Sequence, residues 1–285
     1  MAVAVKDLKR KSKRANLRLF GGYKRIYQYF RGNHNDQKKI LFIVGCQRSG
    51  TTLMTRIFKR DIHTRVFGEF SRISNQDPDN IRLNPLHRVK EQLKDENADF
   101  IIGKPLVESQ RIREILDYFE ESRAIWMFRH YKDVAFSNLN RFGEGNGLDD
   151  LEPIAWKMPF NWRTELISEA TQEQIIKIFD KNMSPLDAAA WFWWVRNRIF
   201  FEHNLYDDQR IKLVKYEDLA IQPQKIMKEI YRFSGAPYPG DQILSEISPG
   251  SVGKASDQQL SPEVADKCEE MWLELNKKYE LQNNR

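Results

Sequence analysis

The 285-residue sequence holds two cysteines and five histidines. No apolar run approaches the ~18–20 residues that a membrane-spanning helix needs. Cys46 and Cys268 cannot supply a disulfide framework or a cysteine-rich zinc site, and they fit a reducing compartment. A charged-then-apolar opening followed by a small-residue cleavage site is missing, so no secretory signal is expected. Internal repeats and low-complexity tracts are missing too. Together these absences point to the cytoplasm. A chain of this length is ample for one buried core and short for several.

A strong excess of one charge sign is also missing from most of the chain. The net charge is +6, from 46 Lys and Arg against 40 Asp and Glu. Residues 1–39 carry twelve of the cations against only Asp7 and Asp36, so the remainder is slightly acidic. The basic excess belongs to a leader, residues 1–38, in which Val3, Leu8, Leu17, Phe20, Tyr23, Ile26, Tyr27 and Phe30 form a loosely amphipathic pattern. Three readings are open: a helix packed on the body with a solvated basic face, a surface-seeking segment that prefers anionic lipid or an acidic partner, or a frayed leader. No nucleic-acid partner is expected from the body. Contact with the inner face of a membrane is the leader's other reading.

From Lys39 onward, apolar runs alternate with helical patterns. Ile40–Val44, Phe100–Ile102, Ala124–Phe128 and Ile211–Val214 read as buried strands, with Val66-Phe67 as a strand end. Leu53–Lys59, Arg111–Glu120, Val134–Asn140, Leu186–Asn204, Pro223–Ser234 and Glu263–Lys278 read as helices. This alternation predicts one α/β domain over 39–285, a mainly parallel central sheet flanked by helices. Between Phe142 and Pro185 the rhythm breaks, with Gly143, Gly145, Gly147, Trp156 and Trp162, and a lid on the acceptor side is expected there. Trp191, Phe192, Trp193 and Trp194 read as core.

The most informative stretch is ILFIVGCQRSGTTLMTRIF, residues 40–58. A buried strand runs into Gly45-Cys46-Gln47-Arg48-Ser49-Gly50-Thr51-Thr52 and then into a helix. Glycines that permit tight turns, converging amide N–H groups and a helix N-terminus make a phosphate cradle. A Walker A loop would end in Gly-Lys-Ser/Thr, with lysine on the terminal phosphates. Here Thr51 holds the lysine position and the cation, Arg48, comes three residues earlier. The strand Ala124–Phe128 ends in Arg129 rather than a metal-binding acid, so phosphate binding without a metal is expected. Arg129, His130, Ser137 and Arg141 form a second basic constellation, with Ser137 and Arg141 one helical turn apart, suited to a separate phosphate.

These two segments together resemble the sulfotransferases that use 3′-phosphoadenosine 5′-phosphosulfate (PAPS) and release 3′-phosphoadenosine 5′-phosphate (PAP). The resemblance extends from about Ile40 to Asn276 and includes Leu213-Val214-Lys215-Tyr216-Glu217-Asp218-Leu219, Pro223 and Phe233-Ser234-Gly235. It implies a P-loop-like fold and no metal. It also implies that Gln47, Arg48, Ser49, Gly50, Thr51 and Thr52 hold the 5′ phosphosulfate, and that Arg129 and Ser137 hold the 3′ phosphate. Finer features resemble the tyrosylprotein branch and its bacterial relatives: Arg141 as a second 3′-phosphate arginine, and Lys254 and Ser256 in a late loop beside the nucleotide. In the same comparison Glu69 matches the glutamate base and Lys104 the second active-site cation, and Tyr216 lies on the nucleotide side. Paired cysteines and a membrane anchor of that branch have no match here.

Sulfuryl transfer is an in-line displacement that builds negative charge on the leaving oxygen. Arg48 and Lys104 are the candidate cations for that charge and Glu69 the candidate base for the acceptor hydroxyl. A surface ion pair of Glu69 with Arg72 is its non-catalytic alternative. His63, His87, His130 and His203 are scattered rival bases, and His130 stands beside the nucleotide arginine. Other functional classes remain in play: a P-loop kinase or nucleotide hydrolase, and a binder without chemistry that acts through the basic leader. The acceptor, a small molecule, lipid, glycan or peptide alcohol, is not legible in the spacing.

Overall fold

The computed structural model describes residues 19–32, 38–74, 81–255, 257 and 259–284. Ser256 of the expected late loop lies outside the described residues, as does most of the leader. In chain order the elements are α1 (residues 19–31), β1 (Lys39–Gly45), α2 (Thr51–Lys59), β2 (Thr64–Phe67), α3 (Leu86–Lys94), β3 (Phe100–Gly103), α4 (Ile112–Tyr118) and β4 (Ser122–Phe128). There follow α5 (Tyr131–Phe142), α6 (Asn146–Ala155), α7 (Glu169–Ile178), α8 (Pro185–Glu202), β5 (Ile211–Lys215), α9 (Tyr216–Ile221), α10 (Pro223–Phe233) and α11 (Pro262–Asn283).

The five strands form one all-parallel sheet in the order β2-β3-β1-β4-β5. Alternate side chains of β1 feed two separate cores, because successive strand residues face opposite sides. Phe42 and Val44 pack with Trp126, Trp191, Trp193 and Phe200, under α5, α6, α8 and α11. Leu41 and Ile43 pack with Met54, Ile57, Phe58, Phe100 and Tyr231, under α2 and α10. Covering both faces explains why the strands read as continuous apolar runs rather than alternating ones. Each fully buried large side chain of this kind contributes roughly 1.5–3 kcal/mol.

Helix α8 is apolar nearly all round because it is buried nearly all round, including the four consecutive aromatics Trp191 to Trp194. Ser184 precedes it and Pro185 opens it, a first-turn position that costs proline no hydrogen bond. The break expected between Phe142 and Pro185 contains two helices, α6 and α7, joined by irregular chain. Gly143 and Gly145 just before it, Gly147 within it and the internal Pro153 mask α6, whose Leu151 and Ile154 are fully buried. Helix α7 is capped by Ser168 Oγ, which accepts the Thr171 N–H.

The order of strands places β1 between two neighbours reached by opposite crossovers. Its C-terminal end is therefore the topological switch point, where open α/β sheets leave a crevice.

Candidate active site

Each strand delivers a candidate residue just past its C-terminal end. β1 leads into Arg48, β2 to Glu69, β3 to Lys104, β4 to Arg129 and β5 to Tyr216. Because the strands are parallel, five residues dispersed over 169 positions meet on one edge of the sheet.

The loop after β1 turns at Gly45 (φ 118) and Gly50 (φ 93), both in the left-handed region that favours glycine. Arg48 adopts φ 67, a backbone that costs a non-glycine residue on the order of 1–2 kcal/mol. Ser109 pins the start of the loop: its Oγ accepts the Gly45 N–H at 3.0 Å. Gly50 stands as N-cap of α2, and no acidic side chain occupies that helix's first turn, so its positive end is uncompensated. Ser49 Oγ is fully buried beside Cys46 and meets no oxygen or nitrogen partner. Cys46 is 1% exposed, and burial pushes its thiol up to about 12.

Three guanidiniums converge beside this loop. Arg48 Nε donates to Ser137 Oγ at 3.1 Å. Arg48 and Arg141 both lie over the Phe142 ring, 5.7 and 5.9 Å from its centroid. Arg129 reaches the Arg48 carbonyl at 3.5 Å and lies 4.4 Å above the Tyr216 ring. Burial, followed by repulsion from Arg141 and Arg129, lowers the Arg48 pKa. Among the described residues one carboxylate pairs directly with the three, Asp133, 3.0 Å from Arg129, and the buried Glu217 stands near enough to feel Arg129 without pairing. Arg129 Nε is buried with no partner. The cluster is short of negative charge and long on donors, which fits an anion.

Asp133 also accepts the backbone N–H groups of Gly253 and Ala255 at 2.9 and 3.0 Å, tying the late loop to the first turn of α5. Tyr216 Oη bonds Ser251 Oγ, and Arg129 donates to the Ser251 carbonyl at 2.5 Å. Lys254 stands exposed on that same loop. His130 Nδ1 accepts the Lys132 N–H as the N-cap of α5, and burial lowers its pKa.

On the other side of the loop, Lys104 Nζ lies 3.3 Å from Glu69 Oε2 and 3.3 Å from Thr52 Oγ1. Arg72 pairs instead with Glu96, at 2.8 Å. A cavity of about 320 Å³ opens here, lined by Arg48, Thr52, Glu69, Lys104, Arg141 and Trp162 among others. Gln47 belongs to its wall, with its side-chain amide donating to Asp150 Oδ2 at 2.8 Å.

Sequence reading missed four members of this region. Asp150 is buried, bonded by Gln47 and Asn146 and paired with Arg163 at 2.6 Å. Arg163 lies 4.4 Å from the Trp162 ring centroid. Arg196 is 3% exposed and bonds the Gln110 side chain and Leu106 carbonyl, and burial lowers its pKa to about 10. Ser109 is the fourth. An arginine directly after the apolar run Ala188–Val195 of α8 was a legible signal for Arg196. The other three had none. Among the described residues no three His, Cys, Asp or Glu side chains group as metal ligands.

Residues 38–261 match the sulfotransferase domain model. No curated protein matches the chain significantly. Of solved structures, the sulfotransferase domain from the curacin biosynthetic pathway superposes with TM-score 0.50 at 13% identity, over 84% of this chain and 98% of that one. A sulfotransferase from Alicyclobacillus acidocaldarius gives 0.48 at 14% identity, over 87% and 96%. A mouse sulfotransferase complexed with PAP gives 0.41 at 14%, over 80% and 69%. At such identities the likeness to the curacin-pathway domain bears on the fold.

Proposed function

The chain belongs to the sulfotransferase family, a family that uses PAPS, and on that premise we propose that it moves a sulfuryl group from PAPS to an acceptor hydroxyl with Glu69 as base. The observation that carries the donor assignment is the cluster of Arg48, Arg129 and Arg141 beside the loop, three cations with one carboxylate, Asp133, in ion-pair contact. The buried, unpartnered Arg129 Nε makes the same point, since a polar group left dry without a partner costs about 1–3 kcal/mol.

In this reading the 45–52 loop and the N-terminus of α2 take the 5′ phosphosulfate, while Arg129, Ser137 and Arg141 take the 3′ phosphate. Tyr216, Lys254 and Ser256 belong to the nucleotide side. When bound, PAPS supplies an activated sulfuryl group whose leaving oxygen is a phosphate. Glu69 accepts the proton of the attacking hydroxyl. Lys104, set between Glu69 and Thr52, and Arg48, at the turn of the loop, face the charge that grows on the leaving oxygen. Cations so placed act more strongly on the transition state than on the ground state, and that difference is what raises turnover. Arg48 is fixed in advance by Ser137 and by its left-handed backbone, so little reorganisation is needed at the moment of reaction.

The acceptor enters, in this reading, from the cavity beside Glu69, between Phe70, Trp162 and Arg163, with the 142–185 segment as its lid. The test is direct. Purified full-length protein should bind PAP by titration calorimetry and transfer label from sulfur-labelled PAPS to alcohols in fractionated extract. Absence of PAP binding would end the donor assignment. Binding without transfer to any fraction would leave the chain a nucleotide binder.

A further inference from the structure

Helix α1 is built with its polar side inward. Lys24 and Gln28 are buried at 8% and 5% exposure. Lys24 Nζ donates to Thr64 Oγ1 at 2.9 Å, and Gln28 Nε2 donates to the Ile62 and Thr64 carbonyls at 2.7 and 2.9 Å. These bonds fix the helix to the start of β2, the edge strand of the sheet. The side facing outward carries Leu19, Tyr23, Ile26 and Phe30, between 59% and 73% exposed. At about 100° per residue these four fall within an arc of roughly 60°. Arg25 and Arg31, both exposed, flank that arc on either side, and Tyr29 is exposed at its margin. Surface helices of soluble domains place such a stripe against the core. Here the core-side contacts are already made by polar groups.

What covers the stripe follows from the charge around it. A groove of about 560 Å³ lies on the inward side of α1, where Arg65 is paired with Glu96 at 3.2 Å and Lys24 is bonded to Thr64, so the unburied charge of the helix is that of Arg25 and Arg31. Residues 1–39 hold twelve cations against two aspartates, whereas the rest of the chain is net acidic. An apolar stripe on a helix with Arg25 and Arg31 on its two sides, in a segment rich in cations, is complementary to a surface that is apolar inside and anionic at its face. We propose that α1 docks this protein on an anionic lipid bilayer, with Leu19, Tyr23, Ile26 and Phe30 entering the acyl boundary and Arg25 and Arg31, on the two sides of the helix, reaching lipid phosphates. A second copy of the chain would meet the same cations with its own, so self-association on this face is disfavoured by repulsion.

The orientation has a geometric corollary. Thr64, which holds α1, opens β2, and Glu69 follows just past its C-terminal end. The docked face and the catalytic edge stand at opposite ends of one strand.

Co-sedimentation of the full chain with vesicles tests this. The wild type should pellet with phosphatidylcholine vesicles carrying about one-third phosphatidylserine and not with phosphatidylcholine alone, and raising salt from about 0.1 to about 0.5 M should weaken binding. Ile26→Asp/Phe30→Asp and Arg25→Glu/Arg31→Glu should each weaken it tenfold or more. These positions are solvent-facing, so the melting temperature should hold, and a variant that melts early is replaced by Tyr23→Ser/Phe30→Ser. Failure of the wild type to pellet would overturn the proposal. Equal pelleting by the Ile26→Asp/Phe30→Asp protein would overturn it too, because attraction by the leader's charge alone would then suffice. A concentration-dependent dimer that this variant abolishes, without vesicle binding, would assign the stripe to a second copy instead.

Discussion

Lys104 Nζ stands 3.3 Å from a carboxylate oxygen of Glu69, across the ends of two adjacent strands. The pair joins the candidate base to the candidate electrostatic cation, and the same ammonium reaches Thr52 of the phosphate loop. Replacing Glu69 by Gln keeps shape and hydrogen bonding while removing the proton acceptor. Turnover should fall by roughly 10²–10⁴-fold. PAP affinity, read by calorimetry, should change little. An enzyme that kept full turnover as Glu69→Gln would shift the base elsewhere.

Arg141 is exposed and its change should not disturb the fold. If it grips the 3′ phosphate, Arg141→Met should weaken PAP binding by about 10–100-fold, the worth of a charged hydrogen bond. Adenosine 5′-phosphate, which lacks that group, should bind the variant and the wild type alike. Equal losses for both nucleotides would mean that Arg141 acts only through the general field of the site.

Gly50 is predicted to tolerate no side chain. A Cβ there would lie 2.3 Å from Tyr216 Cδ2, and φ 93 is unfavourable for any L residue. Gly50→Ala should cost about 2–5 kcal/mol from crowding and backbone strain together. Thermal melts should show a drop that Tyr216→Ala added to Gly50→Ala only partly restores, since the second change relieves crowding and leaves φ as it was.

A pH effect should come from His130. Its pKa is lowered in the folded protein, chiefly by burial, so the folded state binds fewer protons there than the unfolded chain. Its contribution is present above the unfolded value of about 6.5 and is lost as pH falls through that value toward the lowered folded one. His130→Asn retains a capping acceptor for Lys132 and should flatten that part of the stability profile. Denaturant melts between about pH 5 and pH 8 would show it. An unchanged profile would locate the effect at other groups.

The strands were legible because burial on both faces writes them as unbroken apolar runs. Leu41 to Val44 needed no alternation to be seen. Helix α6 was not, because the glycines before and within it and Pro153 are the residues that usually mark loops, and only burial of Leu151 and Ile154 overrides them. Helix α3 escaped notice as well, since only Val89 and Leu93 of its nine residues are buried. In the site, the residues with local signals were found: the loop glycines, Arg48 and the arginines after β4. Asp150 and Arg163 had no such signal, because their partnership exists only where α6 and the following turn meet the phosphate loop. For α1 the sequence showed an amphipathic pattern without showing which side turns inward. That is decided by Thr64 and the Ile62 carbonyl, which lie some forty residues away along the chain.

One candidate residue follows each of five parallel strands, and this has a consequence for how the enzyme can fail. Parallel neighbours are joined by crossovers, so every pair of these residues depends on contacts distant in sequence, and such sheets form late and as a unit. No proteolytic fragment that lacks a strand retains the constellation. Loss of catalysis on heating or clipping should therefore coincide with loss of the whole sheet, and residual activity in a damaged sample counts intact molecules rather than weakened ones.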